Sequence, residues 1–220
     1  MPMDIIEDLK EDAKALRAAG FGNEAGIVAP GSSESAFRRN VHQIWLQSPG
    51  AVPAIPKYLV GRMEAREQLQ RNFVDVIRDR LEETRKLPPN LVELSYLSYR
   101  PGSYYRKHVD KPAFENSRRS HERCVSLILY LGGDDSQNEW DCQRDGGALR
   151  VYNIHDDGSS DGEITTELQK CDSFIDYAPL PGTMLLFDSR RVPHEVLETH
   201  RNRHCIVGWF GSPTDYDGIF

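Results

Sequence analysis

The hydrophobic positions of this chain follow a helical period in its first part and a strand-like alternation in the remainder. Near the N-terminus, apolar residues recur at helical spacing at Ile5, Ile6, Leu9, Ala13 and Leu16. Asp4, with Glu7 three residues later, predicts the start of this helix, and Gly20 predicts its end. An apolar stripe of this kind predicts a helix that packs against a sheet.

A second, longer helix is predicted near residues 58–86. Its apolar face comprises Leu69, Phe73, Val76, Ile77 and Leu81. Pro88 and Pro89 are expected to end it. Between the helices, residues 39–46 alternate partly and predict an edge strand, while the glycine- and serine-containing segment 31–39 beside it is expected to be a flexible lid over a pocket.

From residue 91 onward the pattern predicts β structure. Short apolar or alternating runs cover residues 92–99, 124–131, 148–153, 183–187 and 204–210. Several short strands separated by turn residues predict a β-sandwich or barrel, and two helices over one jelly-roll sheet would cover an exposed apolar face. The predicted fold is therefore mainly β with supporting α-helices. It forms one domain over residues 1–220, with helical support, edge strand and lid in 1–90 and a jelly-roll core in 91–213.

Composition and charge exclude several classes of function. The net charge of −7 argues against a general nucleic-acid binder. The sequence contains no apolar run near the ~20 residues that span a bilayer, and its acidic start lacks a signal-peptide pattern. We therefore expect a cytoplasmic or nuclear protein with no membrane partner, of undetermined oligomeric state. The four cysteines have no Cys-x-x-Cys spacing; Cys124 and Cys205 are expected to be buried and Cys142 exposed.

The candidate chemistry lies in His108, Asp110 and His194. Alternate residues of a strand point the same way, so His108 and Asp110 can reach one metal from one face. His194, from a distant segment, would complete a 2-His-1-carboxylate triad, which holds Fe(II) and leaves positions open for a co-substrate and O₂. A strand-end histidine bonded to an aspartate is the simpler alternative, but it does not account for His194 and Arg203.

Arg203 is the candidate clamp for a dicarboxylate co-substrate, because its forked guanidinium can bind a carboxylate with two hydrogen bonds. Arg201 and His204 compete for this role. If Arg203 faces the interior, alternation places the apolar Cys205, Val207 and Trp209 beside it and His204 on the opposite face with Ile206 and Phe210. Arg201, two residues before Arg203, would point to the same face of the strand but lies nearer the turn.

Three stretches surround these residues: YRPGSYYRKHVD at 99–110, PGTMLLFDSRRVPHEV at 181–196 and RHCIVGWF at 203–210. As a set they resemble the Fe(II)/2-oxoglutarate dioxygenases of the prolyl 4-hydroxylase type. Residues 188–196, together with RCVSLILYL at 123–131 and GGALR at 146–150, look most like the hypoxia-inducible-factor prolyl hydroxylase branch. The resemblance covers residues 92–211.

The resemblance implies a double-stranded β-helix and an enzyme that uses Fe(II), 2-oxoglutarate and O₂, with ascorbate as reductant. It implies hydroxylation of a prolyl residue at C4 in a peptide or protein, with 2-oxoglutarate converted to succinate and CO₂. The carboxylate of Asp110 favours hydroxylation, because related halogenating enzymes leave that position open for halide. Alternatives are hydroxylation of another residue or a small molecule, a non-catalytic peptide-binding jelly roll, and a zinc hydrolase or isomerase, which would need no dicarboxylate clamp.

The resemblance also assigns roles to further residues. Tyr130 would bond the distal carboxylate of the co-substrate beside Arg203, Tyr105 would bracket the pocket near the iron, and Tyr99 would bond the co-substrate or a water. Trp209 would form an apolar wall toward the substrate, and Arg150 would seat a peptide, with a surface salt bridge as its alternative. Leu149 and Met184 are expected to line the pocket or to belong to the core.

Overall fold

The computed structural model describes residues 1–25, 41–47, 63–85, 90–110, 121–134, 139–153 and 173–213. The proposed lid at 31–39 lies outside these residues, as do Pro88 and Pro89. None of the helices described is both long enough and apolar enough to cross a membrane.

The first helix, α1 (Met3–Ala18), buries the predicted apolar stripe, including Ile6, Leu9 and Leu16. Gly20 ends it as predicted: its φ is +84°, and the N–H of Phe21 donates to the carbonyl of Leu16 at 3.0 Å. The prediction that Asp4 caps the helix is wrong. Pro2 precedes the first turn with φ −57°, a value that suits a helix start, and Asp4 lies within that turn, where its charge complements the helix dipole.

The second helical region is interrupted. It runs through α2 (Met63–Leu69), a π-helical turn (Gln70–Val74) and α3 (Asp75–Arg85). Leu69 and Val74 are buried, whereas Val76 is 51% exposed, which corrects its predicted place on the buried face. The π turn takes more residues than an α turn and therefore rotates the following positions away from the original stripe.

Within the described residues, ten antiparallel strands form two sheets. They are β1 Asn23–Glu24, β2 Val41–Gln47, β3 Asn90–Tyr99, β4 Tyr105–His108, β5 His121–Gly132, β6 Leu149–Tyr152, β7 Phe174–Tyr177, β8 Met184–Asp188, β9 His194–Val196 and β10 Arg203–Pro213. The larger sheet has the order β1-β2-β3-β10-β5-β8 and the smaller one β4-β9-β6-β7. This arrangement confirms the mainly β fold with supporting helices.

The sequence pattern did not predict the short strands β1, β7 and β9, which have two to four residues each and show little alternation. One consequence is a correction to β2. It was predicted as an edge strand, but the two-residue β1 pairs with its outer side.

The apolar residues form two clusters, one on each face of the larger sheet. On one face, α1 and α2 pack on alternate residues of β5 and β10, including Leu127, Leu129 and Ile206. On the other face, between the sheets, lie Ile128 and Tyr130 among others. Two predicted helices over one sheet are thus confirmed. So are the buried Cys124 and Cys205 and the exposed Cys142.

Candidate functional site

The two candidate histidines are brought together by strand pairing in the smaller sheet. β4 ends at His108, which lies directly opposite His194 at the start of β9. Asp110 lies two residues later, beyond the end of β4, so the prediction that both residues lie on one strand is wrong although their side chains do converge. The ligand atoms of these three residues all lie within 4.8 Å of one another, so each can contribute one bond to a single metal ion. The predicted convergence of the triad is confirmed.

Both imidazoles are oriented by backbone carbonyls. The Nδ1–H of His108 donates to the carbonyl of Arg106 at 2.8 Å, and that of His194 donates to Val192 at 3.0 Å. Because Nδ1 carries the proton, the lone pair of Nε2 is available to a metal. The Nε2 atoms are also the ones that face Asp110, at 3.4 Å for His108 and 3.8 Å for His194.

Asp110 is held as a carboxylate. Burial by itself would raise its pKa, but His108 and His194, when their imidazoles are also protonated at Nε2, and the hydroxyl of Ser126 together lower the pKa well below its usual value. Its Oδ2 accepts hydrogen bonds from the Ser126 hydroxyl at 2.6 Å and from Nε1 of Trp209 at 3.0 Å. Two nitrogen ligands and one anionic oxygen suit ferrous iron.

The alternation predicted for β10 is confirmed. Cys205, Val207 and Trp209 belong to the cluster between the sheets, whereas Ile206 and Phe210 belong to the cluster under the helices. Arg203 lies opposite Tyr99 of β3 and is 1% exposed.

The guanidinium of Arg203 lies between two tyrosines. Its central carbon is 4.7 Å from the ring centroid of Tyr99 and 5.0 Å from that of Tyr130. Within the part of the chain that the structure describes, Nε of Arg203 and the hydroxyl of Tyr130 are buried without a hydrogen-bond partner. Two unsatisfied donors at one place are what a ligand carboxylate would need. The residues present therefore fit 2-oxoglutarate.

Tyr130 is kept in its protonated form. Burial raises its pKa to about 12, and the neighbouring charge of Arg203 opposes that shift only in part. At neutral pH the phenol is therefore a hydrogen-bond donor that can serve a carboxylate.

A narrow cavity lies beside the triad. It is lined by all three triad residues, by Tyr99, whose ring lies against Arg203, and by Leu149 and Trp209. Tyr105 also lines it, with its ring centroid 3.9 Å from that of His108. Met184, by contrast, packs against the cluster under the helices.

Two other arginines are engaged elsewhere. Arg150 forms a two-pronged ion pair with Asp176, with both N···O distances at 2.8 Å, and its guanidinium lies 3.7 Å from the ring centroid of Phe174. This is the salt bridge offered as the alternative, and a role for Arg150 toward a peptide stays a prediction. Arg201 pairs with Asp145 at 3.3 Å, whereas the guanidinium of Arg203 lies against Tyr99 and Tyr130, which belong to the cluster between the sheets.

The groups that surround Asp110 were not predicted from the sequence. Trp209 was expected to be an apolar wall toward the substrate; its ring does line the cavity, but its N–H is bonded to Asp110. Ser126 could have been identified from the sequence, because it is a single hydroxyl residue in an apolar strand and lies on the same face of that strand as Tyr130. Ser189, which contacts Ser126 at 2.8 Å, could not have been.

Comparisons with known proteins agree with this geometry. Residues 94–211 match the 2OG-Fe(II) oxygenase superfamily. The hypoxia-inducible factor prolyl hydroxylase of Caenorhabditis elegans is 30% identical over 117 residues, which is 53% of this chain but 13% of that protein.

Two solved structures have the same fold. The prolyl-4-hydroxylase of Pseudomonas putida superposes with a TM-score of 0.65 at 26% identity, over 96% of this chain and 88% of that one. A prolyl hydroxylase of Trichoplax adhaerens, solved with a hypoxia-inducible factor peptide fragment, superposes with a TM-score of 0.63 at 22% identity, over 94% and 78% of the two chains.

Proposed function

This chain belongs to the 2OG-Fe(II) oxygenase superfamily, and we propose that its substrate is a prolyl residue of a peptide or protein, which it hydroxylates at C4. The observation that carries the proposal is a metal triad with a carboxylate-binding group close to it. The His-Asp-His triad lines the cavity, and Tyr99 of the same lining lies against Arg203. Among the described residues, Nε of Arg203 and the hydroxyl of Tyr130 are buried without a hydrogen-bond partner.

Each site residue has a defined task in this reaction. His108, Asp110 and His194 would hold Fe(II), and Arg203 with Tyr130 would hold the distal carboxylate of 2-oxoglutarate. Charge-assisted hydrogen bonds of this kind contribute roughly 1.5–3 kcal/mol each, which offsets the cost of removing water from the diacid. Iron with 2-oxoglutarate and O₂ supplies the oxidation, in which the diacid becomes succinate and CO₂ and one oxygen atom enters a C–H bond.

The chain's own contribution is orientation and exclusion of water. The Nδ1–carbonyl bonds of His108 and His194 fix both rings, so that Nε2 faces the metal position. Leu149 and Val196, both buried, help to form an apolar wall around the cavity. A dry wall strengthens the electrostatic contacts to the diacid.

Peptidyl proline is favoured by the relatives. The Pseudomonas putida protein, similar over nearly the whole chain, is a prolyl-4-hydroxylase, and the Caenorhabditis elegans relative is a prolyl hydroxylase that matches over the site-bearing half. Trp209, whose ring lines the cavity beside Asp110, would contact a prolyl ring.

The test is turnover with a defined peptide pool. We expect purified protein with Fe(II), 2-oxoglutarate and ascorbate to form succinate together with peptides that gain one oxygen atom, and hydrolysates of those peptides to contain 4-hydroxyproline. Asp110→Ala should lose both products. Succinate formation coupled to oxygen gain on another residue would refute the prolyl assignment, and no 2-oxoglutarate turnover with any proline-containing peptide would refute the proposal as a whole.

A further inference from the structure

The two oxygens of the Asp110 carboxylate have different surroundings. Oδ2 accepts two hydrogen bonds, from Ser126 at 2.6 Å and from Trp209 at 3.0 Å. A carboxylate oxygen offers about two lone-pair directions, so these donors saturate Oδ2. Oδ1, 3.4 Å from Nε2 of His108, keeps its lone pairs for a metal, while Oδ2 is the oxygen that lies 3.8 Å from Nε2 of His194.

The hydroxyl of Ser126, the first donor to Oδ2, is itself hydrogen-bonded to the hydroxyl of Ser189. Ser126 lies on β5 and Ser189 follows β8, and their Oγ atoms are 2.8 Å apart. The proton of Ser126 is given to Asp110, so Ser189 must donate to Ser126. Both serines are buried, and the N–H of Ser189 donates to the carbonyl of Cys124 at 3.0 Å, which fixes its place.

The second donor is supported by a buried ion pair. The guanidinium of Arg123 lies 3.7 Å from the ring centroid of Trp209. Glu93 holds that guanidinium through two contacts, from Nε at 2.8 Å and from Nη2. Glu93 also lies opposite Trp209 in the pairing of β3 with β10. Its side chain is 2% exposed, so the pair has little freedom to move.

We propose that Ser189 and Glu93 are positioning residues for the metal ligand Asp110. Ser189 acts through Ser126, and Glu93 acts through Arg123 and Trp209. Together the two supports lock the carboxylate in the rotamer that presents Oδ1 to the metal. The inference rests on the iron site of the proposed function and does not depend on which substrate is hydroxylated.

The size of the effect follows from other metal sites, where loss of a group that orients a ligand weakens metal binding by about 10–100-fold. We expect Ser126→Ala, which removes a direct bond to Asp110, to lie in that range. Ser189→Ala and Glu93→Gln act one contact further away and should weaken binding by roughly 3–10-fold, below the range for a direct partner.

The experiment is a titration of the full chain with Mn(II), followed by the loss of the free-ion signal in electron paramagnetic resonance. Ser126→Thr keeps the hydroxyl, and its extra methyl can point into the cavity that Ser126 lines. It should therefore restore Mn(II) affinity. The visible absorption band of the anaerobic complex with Fe(II) and 2-oxoglutarate is the second measurement and should weaken in the alanine variants.

Matched controls come from the opposite face of the larger sheet. Ser98 is a buried serine whose Oγ is 2.9 Å from Nδ1 of His204, and Ser98→Ala removes a comparable hydroxyl. Asp12 is a buried carboxylate 3.2 Å from Nε of Arg66, and Asp12→Asn disturbs a comparable ion pair. Both controls should lower the melting temperature and leave Mn(II) affinity unchanged.

Unchanged Mn(II) affinity in folded Ser189→Ala and Glu93→Gln would overturn the inference, as would equal losses in the two controls. If Glu93→Gln does not fold, Trp209→Phe tests the same support, because it removes the donor to Asp110 and keeps a ring beneath Arg123; unchanged affinity there also overturns it. Since metal binding is measured without peptide, failure of prolyl turnover would leave this result intact.

Discussion

Arg203 is the largest fully buried side chain among the described residues. Burying a guanidinium costs several kcal/mol unless its charge and donors are satisfied. The faces of Tyr99 and Tyr130 offset part of this cost through cation–π contact. If Arg203 binds the co-substrate as proposed, a ligand carboxylate would accept a hydrogen bond from its remaining donor, Nε.

Replacement of Arg203 by lysine should therefore weaken co-substrate binding. Arg203→Lys keeps the positive charge but loses the planar guanidinium that can donate two hydrogen bonds to one carboxylate. The loss of one such bond, worth about 1.5–3 kcal/mol, should raise the KM for 2-oxoglutarate by roughly 10–100-fold. Succinate formation at varied 2-oxoglutarate concentration measures the change. Arg201→Lys is the matched control and should leave that KM unaltered; equal KM values for both variants would contradict the clamp.

The buried phenol of Tyr130 should make unfolding depend on alkaline pH. A tyrosine in the unfolded chain ionises near pH ~10, whereas the pKa of Tyr130 in the fold is about 12. Below pH ~10 both states are protonated and stability is fully present. Between these values the unfolded state binds fewer protons, so the free energy of unfolding falls as pH rises.

Tyr130→Phe should remove this dependence, on the order of 2 kcal/mol at the alkaline end. Urea denaturation of the metal-free chain at several pH values from neutral to alkaline measures it. Tyr96 and Tyr152 are common to both proteins, so the difference between the two curves isolates Tyr130. Parallel curves would show that its pKa is not raised.

Among the secondary-structure elements and their connections, the segment between β5 and β6 restricts the position of the side-chain methylene groups of Arg203. Gly146 and Gly147 have φ of +63° and +69°, and the N–H of Gly147 donates to the carbonyl of Glu198 at 2.9 Å. A Cβ on Gly147 would lie 3.0 Å from Oγ1 of Thr199 and 3.2 Å from Cδ of Arg203. Only glycine has both the backbone freedom and the absence of a side chain that this approach requires.

Gly147→Ala should therefore move Arg203 and raise the KM for 2-oxoglutarate, in addition to lowering stability. Gly20→Ala provides the control, because Gly20 has φ +84° but an added Cβ there would meet nothing within 4 Å. Both variants carry comparable backbone strain of roughly 1–2 kcal/mol. Thermal denaturation should show a loss in both variants, larger for Gly147→Ala because of its steric contacts, and only Gly147→Ala should change the KM. An unchanged KM in both would mean that the loop does not position Arg203.

In the whole molecule, the metal position lies where the two sheets meet. His108 and His194 belong to the smaller sheet, while Ser126 and Trp209, which hold Asp110, belong to the larger one. A bound ion would therefore connect both sheets through their own side chains. Such a ligand stabilises the folded state in proportion to its occupancy.

Metal binding should raise the melting temperature of the whole chain. At a free metal concentration about 100 times the Kd, the stabilisation is about 2.7 kcal/mol, which corresponds to a shift of roughly 5–10 °C for a domain of this size. Differential scanning calorimetry with Mn(II), and again after addition of a chelator, measures it. Asp110→Ala should abolish the shift, and a metal-independent melting temperature in the parent chain would contradict the site.

The sequence by itself determined which residues share a face. Strand alternation placed Arg203 with Cys205 and opposite His204, and the helical stripe of α1 identified its buried side, because both patterns repeat locally along the chain. The spacing of His108 and Asp110, with His194 and Arg203 in their contexts, was sufficient to predict the metal triad.

Only the tertiary structure decided which faces meet. The pairing of His108 with His194, the bond from Trp209 to Asp110 and the contact of Ser189 with Ser126 join residues that are distant in sequence. The π turn likewise rotated Val76 out of the core. Such contacts depend on strand register and on the packing of one sheet against the other. Register and sheet packing are determined by the burial and hydrogen bonding of the whole domain. A periodic pattern within one segment of the sequence carries no information about them.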